Sequence, residues 1–255
     1  MTLPSFTPDA GAAPLHRMLL AHAGLELRLA LRQAEQLLLT LVIPVLLTLL
    51  LVLTTIVEAG AGSRVDYFMP GILALAVVSS AFTGLAISTG FERKYGVLKR
   101  LGATALPRSV LIGGKALSVL GLLLVQLAVP TGLGFALGWQ PRGNVLGAAV
   151  LVLLGTAAFA GLGLLLAGTL RAEATLAGAN LVWFCLLFFG GLLLPVSRLS
   201  DSAAVVLQFL PSAARADVLR AALCDGTGSP VQHIAVLAGW AAIASAAAVR
   251  WFRWE

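Results

Sequence analysis

Hydrophobic and polar positions along this chain fall into long apolar blocks separated by short polar stretches, without the period-two alternation of a half-buried strand. A block of about 20 apolar residues, at about 1.5 Å per helical residue, matches a hydrocarbon core of roughly 30 Å. Six such blocks are predicted, at 37–57, 68–90, 116–138, 145–169, 175–195 and 231–249. The first, LLLTLVIPVLLTLLLVLTTIV, carries no charge, and Pro44 within it removes a backbone donor, which predicts a kink. Pro130 predicts the same in the third block. MPGI at 69–72 reads as a helix start, because proline is tolerated in a first turn. The half-apolar stretch 196–230 predicts two short helices at the membrane surface or dipping into it. Ser200 and Ser212 are placed there as N-caps, and Asp217 and Arg220 as a weak surface pair.

Composition agrees with this pattern. The chain has 255 residues, 59% hydrophobic and 11% charged, with a mean hydropathy of +0.98, far from soluble globular usage. The fold class expected is an all-α membrane protein. The first apolar block begins late and is too long for the core of a signal peptide. Cys185 and Cys224 are too few and too differently placed for a disulfide framework. The net charge of +6 sits beside apolar blocks without interleaved aromatics, which points to anionic lipid and away from nucleic acid.

Placing the N-terminus in the cytoplasm puts 12 of the 17 lysines and arginines inside and 5 outside, so both termini are expected to be cytoplasmic. The organisation expected is a leader over 1–36 with an interfacial helix, a six-span domain over 37–250 and a tail over 251–255. On the leader, Arg17, Arg28, Arg32 and Glu35 share one stripe, while His22, Glu26 and Gln33 form a second on the other side. Gly134/Gly138, Ala157/Gly161 and Gly163/Ala167 have the spacing that lets membrane helices approach closely, either within one chain or across a dimer seam.

Several chemistries find no support. His16, His22 and His233 lie outside the block centres, which argues against haem or metal ligation in the membrane. The block centres hold no ionisable residue of the kind an ion-coupled transporter uses. Lys115 and Glu173, near block ends, are expected to snorkel. No serine elbow accompanies a histidine, and SVLIGGKA at 109–116 lacks the first glycine and the final hydroxyl of a phosphate-binding loop. The chain is therefore not expected to be an enzyme, and any ATP that drives it would be bound elsewhere.

The remaining charge concentrates in FERKYGVLKRLGATALPRSVLIGGK, 91–115, with six basic residues and one acid. At 100° per residue, Phe91, Tyr95, Leu98 and Leu101 fall on one arc and Glu92, Arg93, Lys99 and Arg100 on another, which predicts an amphipathic helix. Gly102 offers a stop, and Thr104 with Pro107 a new start. A lipid-headgroup anchor and topology determinant is one reading. The other rests on likeness: the segment resembles the loop between spans two and three of type-2 ATP-binding-cassette (ABC) exporter permeases. Glu92, Arg93, Gly96, Leu98, Lys99, Leu101 and Gly102 match E-R-x-x-G-x-L-K-x-L-G of the drug-exporter branch. GGLLLPVSRLS at 190–200 and LPSAARADVLRAAL at 210–223 extend the resemblance along the chain.

What the resemblance implies is a half-transporter in the bacterial cytoplasmic membrane. Two permease chains, expected as a homodimer, would work with two cytoplasmic ABC ATPase subunits that bind ATP and Mg; this chain would bind no cofactor of its own. Glu92, Arg93, Tyr95, Leu98, Lys99 and Arg100 are the expected ATPase-coupling set, on a coupling helix. By the same resemblance, substrate passes between the two chains along spans one, two and five. Candidate path residues are Asn180, Trp183, Phe184, Phe188 and Phe189 in span five, with Phe82 and Thr83 in span two, suited to an amphipathic drug, lipid or similar compound. Packing within one chain or against lipid is the competing account of these rings. The alternatives to an exporter subunit are a membrane scaffold or assembly factor that moves nothing, and an ion-coupled secondary transporter.

Overall fold

In the computed structural model, residues 13–55, 57, 63–104, 106–189, 219, 223 and 231–252 are described. Among them the chain is helical and contains no strand. Helix α1 (Leu15–Arg32) is followed by α2 (Ala34–Leu53) and α3 (Arg64–Val77). A π-helical segment, Val78–Gly84, leads on into α4 (Leu85–Lys94). Then come α5 (Val97–Gly102), α6 (Arg108–Ala136), α7 (Val145–Thr169), α8 (Ala172–Phe189) and α9 (Val231–Trp251). Among the described residues four helices are long and apolar enough to cross a membrane, over Arg64–Lys94, Ser109–Ala136, Val145–Thr169 and Ile234–Trp251. Leu41–Leu53 and Ala172–Phe188 are shorter apolar helices.

The continuous run from α3 through the π segment to α4 is the centre of the molecule. Met69, Ile72, Leu75, Val78 and Ala86 along it are fully shielded. Helix α7 reaches it through Gly163, where a Cβ would lie 2.8 Å from the Phe82 carbonyl oxygen. Phe82 itself packs edge-on against Phe159 of α7, with centroids 6.3 Å apart. On its other side α7 meets α9: a Cβ on Gly161 would lie 2.8 Å from the Ala244 backbone. Gly161 and Gly163 therefore serve close packing inside one chain, one of the two uses their spacing allows. Helix α8 turns Ala172, Thr175, Ala179 and Leu187 inward, at intervals of three, four and eight residues that keep them on one face.

Helix α1 packs lengthwise along α6 and in the same direction. Leu19 faces Gly113, His22 faces Gly114 and Leu27 faces Gly121. Its other sides expose Leu15, Leu20 and Leu31, together with Arg17, Arg28 and Arg32.

Three elements differ from the pattern-based expectation. Helix α3 starts at Arg64, not at MPGI: the Ser63 hydroxyl oxygen accepts from the Asp66 amide at 3.2 Å, and this cap with an acid in the first turn outweighs proline's preference. Pro70 sits inside the helix, and Pro44 and Pro130 likewise lie within uninterrupted helices. The third block begins at Arg108, directly after Pro107, eight residues before its apolar run. The amphipathic segment after span two is not one helix. Helix α4 ends at Lys94, Gly96 adopts φ 71°, and α5 restarts at Val97. A left-handed residue without a Cβ breaks the periodicity on which the arc argument depends. Ser200, Ser212, Asp217 and Arg220 lie outside the described residues. Leu219 and Leu223 between and beyond them are buried, and the Leu223 carbonyl accepts from the Arg142 amide at 2.9 Å.

The end of the bundle opposite the basic segment is tied by Arg64. Its guanidinium donates to the Leu51 carbonyl at 2.6 and 3.1 Å and to the Val57 carbonyl at 2.9 Å, and it lies 5.4 Å from the centroid of Phe68. These bonds satisfy the Leu51 carbonyl in the last turn of α2, which has no partner within the helix, and the Val57 carbonyl just beyond it.

Candidate functional site

The basic end of the bundle is organised around Lys115. This residue sits two turns into α6, where the helix is flanked by α1 on one side and the end of α4 on the other. Its ammonium donates to Glu92 Oε2 at 2.6 Å and to Glu26 Oε1 at 2.9 Å, and its side chain is 1% exposed. Lys115 does not snorkel, as its position near a block end suggested. The two carboxylates hold the charge inside, and an ion buried in this way requires such partners. Glu26 in turn approaches His22 Nε2 at 3.5 Å, one helical turn back. Burial pushes the His22 imidazole below its ordinary value, Glu26 draws it upward, and Lys115 pushes it down again. Of the second polar stripe of the leader, His22 and Glu26 thus lie on the packed face of α1, while Gln33 at its end is exposed.

The expected coupling set divides between two surroundings. Glu92 and Leu98 point into the molecule, Glu92 to Lys115 and Leu98 to a site with no exposure. Tyr95, Lys99 and Arg100 are exposed, and Tyr95 stacks on Phe91 with centroids 6.1 Å apart. Arg93 donates to the Leu170 carbonyl, and Lys94 pairs with Glu173, so the segment is also bound to the turn between α7 and α8. The stretch from Phe91 to Gly102 is therefore fastened on both sides, to α1 and α6 through Glu92, and to the α7–α8 turn through Arg93 and Lys94.

The candidate path residues divide as well. Phe82 is buried against Phe159 inside one chain, which removes it from any surface between two chains. Thr83 is half-buried, and its hydroxyl finds no hydrogen-bond partner. Trp183 turns back toward the α3–α4 run, its Nε1 donating to the Ser79 hydroxyl of the π segment at 2.8 Å. Asn180, Phe184 and Phe188, four residues apart, lie on the exposed face of α8. Asn180 donates to the Leu176 carbonyl at 3.0 Å. The side chain of Phe189 lies outside the described part.

A cavity of about 320 Å³ opens between α1, the span-two run and α6. His22, Glu26 and Glu92 stand at one end of it, Ser80 and Gln126 at the other, and leucines form much of the wall. The Ser80 hydroxyl reaches Gln126 Oε1 across the far end. Motif reading named Glu92 but missed His22, Glu26 and Lys115 as its company at the near end. A lone lysine deep in an apolar helix and a His–Glu pair at i, i+4 were the available signals. Among the described residues no group of three His, Cys, Asp or Glu side chains is placed to hold a metal ion.

No curated protein matches the chain. The model of the ABC-2 family transporter protein family matches residues 51–250, a range that takes in the end of α2, the central span-two run, Lys115 and its partner Glu92, and helices α6 to α9. The chain, a multi-pass helical membrane protein, belongs to the ABC-2 transporter family.

Proposed function

We propose that this chain is the membrane subunit of an ATP-driven exporter, with six spans, both termini in the cytoplasm and a separate ABC ATPase docked on residues 91–102. Two such chains form the translocation path, and ATP with Mg is bound by the ATPase pair. The observation that carries this reading is the double fastening of the segment. Motion imposed on Tyr95, Lys99 and Arg100 from outside would pass through Glu92 to Lys115, and so to α1 and α6 together. It would also pass through Arg93 and Lys94 to α7 and α8. A buried ion cluster is stiff enough to act as the joint, since separating Lys115 from its carboxylates leaves an unpaired charge inside.

The outward face of α8, with Asn180, Phe184 and Phe188, supplies this chain's side of the path. An amphipathic drug or lipid would meet aromatic surface there, with an amide one turn away. The bacterial cytoplasmic membrane is the setting proposed.

Charge reversal at the exposed positions tests the coupling. Lys99→Glu with Arg100→Glu is expected to abolish permease-stimulated ATP hydrolysis while the chain still inserts. Adding Arg93→Glu should lower stability as well, because Arg93 holds the Leu170 carbonyl. Undiminished stimulation in the double variant would defeat the proposal.

A further inference from the structure

The cavity beside Lys115 has an unbalanced charge. Two carboxylates, Glu26 and Glu92, converge on one ammonium, so the cluster carries one negative charge more than Lys115 neutralises. A second observation at the same end points the same way. The His22 side chain is only 6% exposed, lines the cavity beside the Leu111 backbone, and its Nε2 has no hydrogen-bond partner. With Nδ1 taken as the protonated nitrogen, Nε2 of the neutral ring is an acceptor. Its nearest polar neighbour, Glu26 Oε1, is also an acceptor. The near end of the cavity therefore lacks both a positive charge and an N–H donor.

From Glu92 to Ser80 the cavity follows about 12 residues of the span-two run, roughly 18 Å at about 1.5 Å per residue. Leu29 of α1 and Leu122 of α6 contribute apolar wall along it. At about 320 Å³ it falls at the lower end of ligand-site volumes, and an apolar tunnel with a few convergent polar groups is the usual make-up of such sites.

We propose that this cavity binds a lipophilic ammonium ion, an amine with an apolar tail, with the amine donating to Glu26 and His22 and the tail lying along Leu29 and Leu122. One group then supplies the missing charge and the missing donor together. The site lies within a single chain, between the leader helix and spans two and three. It does not rest on the transport reading or on a second copy. The amine could belong to a free amphiphile or to an aminophospholipid headgroup.

The test uses the full chain in phosphatidylcholine nanodiscs. Dodecylamine, dodecanol and dodecyl sulfate are compared at equal membrane concentration by the shift in thermal unfolding. Dodecylamine is expected to raise Tm saturably, and the neutral and anionic analogues to have no such effect. Glu26→Gln leaves the Lys115–Glu92 pair in balance and should weaken amine binding by about tenfold or more, the worth of one charge-assisted hydrogen bond. Leu122→Trp fills the tunnel and should abolish the shift with the cluster untouched. Equal effects of amine and alcohol would overturn the proposal, showing that a proton or water balances the cluster instead. Wild-type binding in both variants would overturn it too. Displacement of dodecylamine by added phosphatidylethanolamine supports the site with a headgroup as its source, and undisturbed saturable binding supports it with a free amine.

Discussion

Lys115 Nζ lies 2.6 Å from Glu92 Oε2 across the gap between α6 and α4, so the only acid in the basic segment faces inward, away from its exposed basic neighbours. Removing the cation strands two carboxylates. Lys115→Met is expected to destabilise the protein by about 3 to 5 kcal/mol, the usual consequence of breaking a buried pair from one side. Adding Glu26→Gln and Glu92→Gln should recover much of the loss, because no charge is then left unpaired. Thermal unfolding of the single and triple variants in the same detergent checks this; equal stability of the two would show that the charges are solvated.

His22 makes stability depend on pH. Its pKa in the folded protein is held below the ordinary 6.5, chiefly by burial. Below about 6.5 the unfolded chain therefore binds more protons than the folded one, and stability falls as pH falls through that window. The groups facing the ring are Glu26 on its own helix and Lys115 on α6, with Glu92 of α4 beyond. Unfolding midpoints measured between pH 8 and pH 5 should decline, and His22→Asn should flatten the decline. An equal slope in the variant would assign the effect to other groups.

Glycines separate by what a Cβ would meet. On Gly161→Ala the new methyl would fall 2.8 Å from Ala244 backbone, and on Gly163→Ala 2.8 Å from the Phe82 carbonyl oxygen. Each should cost about 1 to 3 kcal/mol through overpacking. Gly178 in α8 meets nothing within 4 Å, so Gly178→Ala should be neutral or stabilising by up to about 1 kcal/mol through helix propensity. Unfolding midpoints of the three variants give the ranking directly.

Arg64 closes the far end of the bundle by donating to Leu51 and Val57 carbonyls. Arg64→Lys keeps the charge but loses the forked donor, and Arg64→Met loses both. The expected order of stability is wild type, then Lys, then Met, with about 1.5 to 3 kcal/mol lost in the last. Limited proteolysis near residue 55 should quicken in the same order; uniform cleavage would show that α2 is held by its packing alone.

Much of the fold was legible because apolar length is a local property. The block at 145–169 coincides with α7, and the block at 231–249 lies within α9. Boundaries failed where a cap or a glycine competed with the apolar pattern, as at Ser63 and Gly96. The candidate site was legible only in outline. A helical wheel drawn through Gly96 put Glu92 beside Lys99 and Arg100, but the helix breaks there, so Lys99 and Arg100 no longer share a wheel with Glu92, which meets Lys115 from α4. The likeness of 91–102 to the family segment drew the expectation to this region, and it could not show which of its side chains were already engaged.

The amino-acid sequence by itself determined that the chain is a helical membrane protein, roughly where its apolar helices lie, and that its positive charge gathers in one segment. Apolar length and charge count decide those matters without reference to neighbours. Only the tertiary structure decided which charges are buried. Lys115, Glu26 and Glu92 come from three helices separated by up to 89 positions; the lysine is tolerable inside because the carboxylates are there, and they because of it. Such mutual compensation belongs to the packed arrangement, not to any one stretch of residues.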